Sequence, residues 1–327
     1  MKIIHHIDDD GLCAAAIIYN ELTPFLDFAK PKETDFIPYS HMGKINIGDI
    51  QENEPVFIVD LALDDTIMNM IKVLVAKHCD IVHIDHHQTT ITRMQNLTLE
   101  EKIIMEHIRK FYVIGVSGAL LTWVYCCMSP TEREHIDAIK YDFSDGRTHI
   151  AINIDDPQRV REYRIPLMIR YIDDWDVWRH QIPETKYFHI AFSMEQNKHP
   201  MQKLWEGIYG SDQVIIMQYI NPGAIIWKYK LLQDQLFLTK HSGVITIADN
   251  KKAIIMNKVG DSFAFGDKLK NYDCGILWYY DHNSRLYKYS VYSDESSDFD
   301  CAAYCETLGG GGHKHAAGAS SDFNIFE

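Results

Sequence analysis

The sequence lacks the hallmarks of several broad protein classes. Seven cysteines are present, but none forms a CxxC pair, and an odd number scattered along 327 residues does not indicate a disulfide framework. No uncharged apolar run reaches the roughly 18 residues that a bilayer crossing needs. The chain begins with Met1 and Lys2 and soon becomes acidic, without the apolar core of a signal peptide. We therefore expect a soluble, cytoplasmic protein that does not bind a membrane.

Positive charge is also scarce in this chain. Lysine and arginine number 32 against 46 aspartates and glutamates, which gives a net charge of -14. This balance excludes the broad cationic surface on which long duplex nucleic acid releases counterions. A phosphate-rich ligand must therefore be bound locally, by metal ions or by a few donors. Apolar residues make up 46% of the chain, enough for a large core, and the length is typical of two domains.

Three short apolar runs in the first third of the chain end in acidic residues or histidines. Residues 3–7 precede Asp8, residues 56–59 precede Asp60, and residues 81–84 precede Asp85. Helical periodicity follows the first two runs, over 12–22 and 65–77. This alternation is typical of a parallel sheet buried on both faces, in which ligands bind beyond the carboxyl ends of the strands. The pattern predicts an α/β domain with a doubly wound parallel sheet and a single site built from three motifs.

The remaining chain divides into a helical part, a weakly patterned part and a strand-rich part. Further helices are predicted near 98–110, 116–128 and 157–172, and the pattern is weak from 180 to 222. A helix that includes Ile225 and Leu236 precedes four strand-like runs, at 244–247, 253–256, 275–280 and 286–292. We predict a catalytic domain over 1–195, a linker region over 196–224 and a smaller α+β domain over 225–327.

The first polar motif places three metal-competent groups on alternate residues. His6, Asp8 and Asp10 follow a strand, and an extended backbone directs alternate side chains to the same side. Taken singly, such an acidic loop is explained equally well as a solvated turn or a helix cap. Asp60 alone is likewise explained as a cap of the following helix.

The third motif, Asp85-His86-His87, changes this interpretation. It ends a strand whose preceding residues look fully buried, and burying adjacent histidines beside carboxylates without a cation would be costly. Carboxylates and imidazoles without thiolates suit Mn²⁺ or Mg²⁺ better than structural zinc. The motifs therefore indicate divalent metal ions.

A glycine run near the C-terminus provides a second type of site. Gly310, Gly311 and Gly312 precede His313, and such a backbone can approach a phosphate closely and offer its N–H groups as an anion-binding nest. A flexible turn is the alternative. The following His-x-His-Ala-Ala-Gly and an apparent helix start favour the binding role, with His313 as the residue that contacts substrate.

Together these motifs resemble the DHH phosphoesterase superfamily, which is named for the triplet found here at 85–87. The resemblance extends over most of the chain, from the His6 motif through Asp60, the triplet and the aspartate-rich 173–176 segment. Residues 310–318 are similar to the GGGHxxAAG signature of the DHH-associated domain of the first type. The resemblance implies an oligoribonuclease-like or nucleotide phosphodiesterase branch.

The resemblance also implies a role for each position that matches a family motif. Asp60 would bridge two ions, His87 would face the substrate phosphate, and Asp85 would orient an imidazole and support catalysis. A fourth motif supplies one more carboxylate, which we assign to Asp174, with Asp176 as the alternative and Asp173 as structural. The implied metal ligands are His6, Asp8, Asp10, Asp60, His86 and Asp174.

One position departs from the family pattern. An arginine in the strand before the glycine run often contacts a terminal phosphate in this family, whereas here Tyr292 stands in its place. A tyrosine can stack on a base or donate one hydrogen bond, but it cannot make a bidentate phosphate contact. Arg285 or Lys288 could substitute for the missing arginine.

The chemistry expected of such a site is hydrolysis at phosphorus. Two divalent ions, Mn²⁺ in preference to Mg²⁺, can hold a shared hydroxide and neutralise the charge on the phosphoryl oxygens. We expect a metal-dependent phosphodiesterase that converts short oligoribonucleotides or dinucleotides to mononucleotides. The alternatives are a phosphoanhydride hydrolase acting on polyphosphate or pyrophosphate, and a nucleotide sensor without turnover. The sequence leaves a homodimer open.

Overall fold

The structure is a computed structural model that describes residues 1–22, 32–40, 45–128, 139–140, 148–152, 160–163 and 165–326. The chain divides into two compact units, Met1–Ala224 and Ile225–Glu327. Within the described ranges, no helix combines the length and the apolar character that a membrane crossing requires.

A five-stranded parallel sheet forms the centre of the first unit. Its strand order is β2-β1-β3-β4-β5, and every neighbouring pair runs parallel. The strands are β1 (Lys2–His6), β2 (Phe36–Tyr39), β3 (Pro55–Val59), β4 (Asp80–Asp85) and β5 (Arg109–Tyr112). The polar motifs therefore follow three adjacent strands at the same edge of the sheet.

Helices cover both faces of this sheet. They are α1 (Asp9–Leu22), α2 (Asp65–Ala76), α3 (Gln88–Gln95), α4 (Leu99–Glu106), α5 (Gly118–Cys127), α6 (Leu167–Asp176), α7 (Thr185–Phe192) and α8 (Asp212–Ile215). The side chains of consecutive strand residues point to opposite faces of the sheet: Ile3 packs with α1 and α5, whereas Ile4 packs with α2. Both side chains are fully buried. The predicted doubly wound α/β fold is confirmed.

Local signals in the sequence explain where the helices of this unit begin. Asp64 caps α2 by accepting a hydrogen bond from the Ile67 backbone N–H at 2.8 Å. Gly11 lies in the first turn of α1, where a Cβ atom would stand only 2.5 Å from the His6 carbonyl oxygen. Glycine is therefore required for α1 to begin immediately after β1.

The helix predicted at 157–172 is wrong at 160–163. Val160–Tyr163 form strand β8, which pairs antiparallel with β7 (Thr148–Ile152), and β7 in turn pairs with β6 (Ile139–Lys140). The helix α6 begins only at Leu167, after Pro166 at its N-cap. This strand is stabilised by pairing with the preceding strand β7, and helical periodicity gives no sign of that pairing.

The segment predicted as a linker, 196–224, belongs to the first unit. It contains a 3₁₀ helix (Lys203–Ile208), α8 and a π-helical turn (Ile216–Ile220). Trp205 is fully buried in the same core as α1 and α5, together with Ile215 and Tyr219. Its prolines and glycines break the helical pattern but do not separate the segment from the core.

The second unit is a mixed sheet with two helices and has the predicted α+β character. Its strand order is β13-β14-β12-β11-β10-β9, and only β10 and β11 pair parallel. The elements are α9 (Asn221–His241), β9 (Ser242–Thr246), β10 (Lys252–Asn257), β11 (Cys274–Asp281), β12 (Leu286–Tyr292), α10 (Cys301–Glu306), β13 (Gly311–His313) and β14 (Ala316–Ser321). Short 3₁₀ segments of this unit occupy Ala248–Asn250 and Ser262–Asn271. Another, Glu33–Asp35, lies in the first unit. The glycine run thus enters a β-hairpin, and the helix start predicted after it is wrong.

Candidate metal centre

The carboxyl ends of β1, β3 and β4 bring the three polar motifs together. His6 Nδ1 lies 2.7 Å from Asp8 Oδ2 and 3.7 Å from Asp60 Oδ2. His86 Nε2 lies 3.1 Å from the other carboxylate oxygen of Asp60, Oδ1. Asp60 therefore faces one histidine with each of its two oxygens.

Two further carboxylates complete the side of the cluster that surrounds His86. Its Nε2 atom lies 3.8 Å from Asp10 Oδ2 and 3.6 Å from Asp176 Oδ2. The ligand atoms form three overlapping groups, each within 4.8 Å, namely His6-Asp8-Asp60, Asp10-His86-Asp176 and Asp60-His86-His87. Asp60 and His86 each belong to two groups, so the three groups form one continuous cluster that could hold metal.

The electrostatics of the cluster match a cation. Asp10 and Asp60 are each only 2% exposed. Burial, and then the charges of Asp10 and Asp8, raise the pKa of Asp60 and of Asp176 well above the ordinary carboxyl range. Among the described residues, neither Asp60 Oδ2 nor Asp176 Oδ2 has a hydrogen-bond partner. Two buried carboxylate oxygens without a donor are best satisfied by divalent ions, which the donor set of carboxylates and imidazoles also suits.

Asp60 adopts a backbone conformation that is rare for a residue with a side chain. Its φ angle is 57°, and its N–H donates to the Ile84 carbonyl oxygen at 2.9 Å. Such left-handed residues persist where surrounding structure enforces them, and they are concentrated at functional sites. The conformation turns the chain sharply at the end of β3 and directs the carboxylate into the cluster.

The N-terminus of α5 holds Asp10 in place. Asp10 Oδ2 accepts from the Gly118 N–H at 2.6 Å, and Asp10 Oδ1 accepts from the Ala119 N–H at 2.8 Å. A Cβ atom on Gly118 would stand 2.8 Å from Asp60 Cβ. The sequence predicts this helix at 116–128 but does not show that its N-terminus binds Asp10. Ser117 caps the helix by accepting a hydrogen bond from the Leu120 N–H.

Asp85 lies behind the cluster and orients His87. Its oxygens accept from His87 Nδ1 at 2.7 Å and from Thr90 Oγ1 at 2.5 Å. Although burial opposes ionisation, the hydrogen bond and charge of His87 lower the pKa of Asp85 to about 2. Burial disfavours the His87 imidazolium too, but Asp85 outweighs it and raises the pKa of His87. This geometry suits the predicted orienting role of Asp85.

The three aspartates at the end of α6 have different partners, and Asp174 is not in the cluster. Asp174 accepts from the Gln181 N–H at 2.8 Å, the Ile182 N–H at 3.2 Å and Thr185 Oγ1 at 2.6 Å. Only Asp176 faces His86. The preferred assignment of Asp174 as a metal ligand is therefore corrected to its alternative, Asp176.

Asp173 is hydrogen-bonded to groups outside the cluster. It accepts from Arg179 Nη1 at 2.6 Å and from the Ser117 N–H at 2.7 Å. Burial raises the pKa of Asp173 to about 6, even though Arg179 acts in the opposite direction. This pair links the end of α6 to the start of α5.

Two groups of the second unit that the sequence predicts to bind substrate make hydrogen bonds within that unit instead. The Tyr292 hydroxyl donates to the Gly260 carbonyl oxygen at 3.4 Å, and the Gly310 N–H donates to the Cys305 carbonyl oxygen at 2.8 Å. A Cβ atom on Gly310 would stand 2.1 Å from the Gly318 carbonyl oxygen, and one on Gly312 would stand 2.6 Å from Ala317 Cα. Close packing of the hairpin thus explains both glycines without a ligand, and the Gly310 N–H is not available to an anion.

Two predicted contacts with substrate stay predictions. Gly311 pairs with Gly318 across the hairpin, and a Cβ atom there would meet nothing within 4 Å. The side chain of His313 lies outside the described part of the structure.

A cavity of about 420 Å³ adjoins the cluster within the first unit. One part of its lining is acidic and includes Asp8, Asp10 and Asp176. The other part is aromatic and includes Trp175 and Trp178. If the phosphate of a ligand lies at the candidate metal centre, this cavity could hold the rest of that ligand.

Comparison with solved structures identifies the fold. The DHH domain of a protein described as a member of a family of ribosomal proteins aligns over 98% of this chain and 82% of its own, with 15% identity and a TM-score of 0.52. The chain has the fold of a DHH-domain protein. The resemblance that the sequence motifs indicate is thereby confirmed at the level of the fold, and the C-terminal DHH-associated domain stays a prediction.

Two further structural neighbours are more distant and carry no argument about function. A pGpG-specific phosphodiesterase from Vibrio cholerae aligns over 98% of this chain and 92% of its own, with 10% identity and a TM-score of 0.42. An exopolyphosphatase-related protein from Bacteroides fragilis aligns over 99% and 88%, with 14% identity and a TM-score of 0.49.

Sequence relatives add little to this comparison. No family model matches the chain. An uncharacterized protein from Acanthamoeba polyphaga mimivirus is 27% identical over 164 residues, which are 47% of this chain and 37% of that protein. The match thus spans little more than a third of the length of this curated relative.

Proposed function

We propose that the chain is a metal-dependent phosphodiesterase that hydrolyses short oligoribonucleotides or dinucleotides to mononucleotides. The observation that carries this proposal is the pair of buried oxygens, Asp60 Oδ2 and Asp176 Oδ2, that have no donor among the described residues. They lie in overlapping ligand groups that share Asp60 and His86. A DHH fold supports the same class of chemistry.

The proposed metal ligands are His6, Asp8, Asp10, Asp60, His86 and Asp176. Two divalent ions held there, with Mn²⁺ preferred, would supply a hydroxide nucleophile and neutralise charge on the phosphoryl group. Asp60 directs one oxygen towards His6 and the other towards His86, so its carboxylate would contribute to both metal positions. Asp85 orients His87, whose side chain is 36% exposed and whose pKa is raised. His87 can therefore donate a hydrogen bond to a phosphate oxygen.

A short substrate agrees with the described surface better than a long one. The net charge of -14 disfavours an extended polyanion, and the cavity beside the cluster holds about 420 Å³. Hydrolysis of phosphoanhydrides would use the same metal ligands, so polyphosphate is tested beside the nucleotides.

The decisive experiment is a substrate panel with purified protein and Mn²⁺. It contains linear and cyclic dinucleotides, a long single strand, polyphosphate and pyrophosphate, and the Asp60→Asn variant is the matched control. We expect mononucleotides from the dinucleotides, at a rate that the variant loses. Release of phosphate from polyphosphate alone would replace the proposal with an anhydride hydrolase. Silence on every substrate, with nucleotide still bound, would favour a sensor.

A further inference from the structure

The cavity beside the metal centre has two chemically different walls. Asp8, Asp10 and Asp176 line the side next to the cluster. Trp175 and Trp178 belong to the aromatic part of the lining, together with Tyr171, Phe188 and His189. A ligand that fills this space has a charged end for the metal ions and a flat apolar end for the rings.

The aromatic residues of the lining pack against one another. The rings of Trp175 and His189 stack with centroids 3.7 Å apart and an interplanar angle of 13°. Trp178 packs edge-on against Trp175 with centroids 5.4 Å apart, and 42% of its surface is exposed. Trp175 thus contacts both His189 and Trp178. The Trp178 ring also meets the His180 ring edge-on, with centroids 4.3 Å apart, yet it keeps much of its surface exposed.

The turn that carries Trp178 is held in an unusual conformation. Trp178 and His180 both have left-handed backbones, with φ angles of 54° and 49°. For bulky side chains such angles are outliers that persist only where surrounding contacts impose them. Here the turn follows Asp176 directly, so its shape fixes an aromatic ring beside a proposed metal ligand.

Asp174 supplies the contacts that impose this shape. Its backbone carbonyl oxygen accepts from the Arg179 and His180 N–H groups at 3.0 and 3.3 Å. Its carboxylate, in a residue only 1% exposed, accepts from the Gln181 and Ile182 N–H groups and from Thr185. The residue that the sequence suggests as a metal ligand is therefore committed to the turn.

We infer that this cavity is a nucleobase site. Trp178 is the stacking surface for the base of the nucleotide whose phosphate is at the metal centre. Asp174 is the positioning residue for Trp178. The inference rests on the proposed function and deepens it. A purine or pyrimidine is flat and satisfies the aromatic wall, and stacking of one base contributes roughly tenfold to a hundredfold in affinity. Ligands without a ring cannot use this wall, so the site selects nucleotides over polyphosphate and sugar phosphates.

The test is equilibrium binding of AMP and of ribose 5-phosphate, which lacks the base, to the Mn²⁺-loaded protein. Calorimetry measures both, and tryptophan fluorescence follows AMP independently. We expect AMP to bind at least tenfold more tightly. Trp178→Ala should remove this difference while affinity for ribose 5-phosphate is unchanged, and Trp178→Phe should restore much of it. The matched control is Tyr209→Ala, an aromatic residue of the same unit that is 46% exposed and does not line the cavity.

Asp174→Asn tests the positioning role, with its melting temperature measured to establish that it is folded. We expect it to lose AMP affinity and retain Mn²⁺ binding. The inference is overturned if Trp178→Ala leaves the ratio of AMP to ribose 5-phosphate affinity within twofold of wild type. These binding measurements need no turnover. A silent substrate panel with an intact base preference would refute the proposed hydrolase alone, whereas active hydrolysis that ignores Trp178 would refute the base site alone.

Discussion

The assignment of Asp176 in place of Asp174 can be tested by a pair of alanine variants with opposite expected signatures. Asp174→Ala removes the acceptor of three hydrogen bonds, from Gln181, Ile182 and Thr185. Hydrogen bonds to a charged group contribute about 1.5–3 kcal/mol each, and neighbouring bonds are not additive, so we expect a total loss of roughly 3–5 kcal/mol. For a unit of this size, that corresponds to a fall in melting temperature of about 10 °C.

Asp176→Ala acts in the opposite direction without metal. Burial and the charges of Asp10 and Asp8 raise the pKa of Asp176, so its removal relieves repulsion and the chelated protein should melt at the same temperature or higher. With Mn²⁺ at about 100 times the wild-type dissociation constant, one ion stabilises the folded state by about 2.7 kcal/mol. A hundredfold weaker site would retain only about 0.4 kcal/mol. Almost all of the stabilisation by that ion should therefore disappear.

Differential scanning calorimetry with EDTA and with saturating Mn²⁺ measures both effects on the same samples. The expected result is a low melting temperature with a normal metal response for Asp174→Ala, and a normal melting temperature with a reduced response for Asp176→Ala. The reverse pattern would refute this interpretation and return the ligand role to Asp174.

The other predictions concern the bridge, the support of the bridge and substrate recognition. Asp60→Asn should reduce turnover to below about a tenth of the wild-type rate under saturating Mn²⁺, because one carboxylate serves both ligand groups; a higher residual rate would remove Asp60 from the bridge. Gly118→Ala places a Cβ atom 2.8 Å from Asp60 Cβ, so it should lower the free energy of unfolding by about 1–3 kcal/mol and weaken Mn²⁺ binding. The control Gly48→Ala, at an exposed glycine, should change neither. A 5′-phosphate on a dinucleotide should alter kcat/KM by less than about tenfold, or roughly 1.4 kcal/mol, because Tyr292 cannot make the charged contact of an arginine. A roughly hundredfold preference would show that another cation binds this phosphate.

Much of the metal centre could be predicted from sequence because strand ends specify it. His6, Asp60 and His86 each follow a buried apolar run, and the carboxyl ends of adjacent parallel strands necessarily meet at one edge of the sheet. The donor chemistry is also local, since carboxylates and imidazoles are read directly from the chain. These are the residues for which the sequence and the geometry agree.

The errors occur where the outcome depends on hydrogen-bond and packing partners outside the motif itself. Asp174 and Asp176 are two residues apart on one helix, and only the turn at 181–185 shows that Asp174 is already engaged. The glycine run has a composition that suits a phosphate nest, but the hairpin partner near Gly318 determines how Gly310 is used. Sequence periodicity contains no information about either partner.

The hydrogen bonds from α5 to Asp10 join residues that are 108 and 109 positions apart in the chain. During synthesis at about 5–20 residues per second, roughly ten to thirty seconds separate the appearance of His6 from that of Asp176. Throughout that interval the early ligands belong to a nascent polypeptide that lacks both the support of Gly118 and the final carboxylate. At the proposed metal centre, acquisition of an ion would therefore await completion of the first unit, and the geometry of the folded protein, not the emerging peptide, would select the ion.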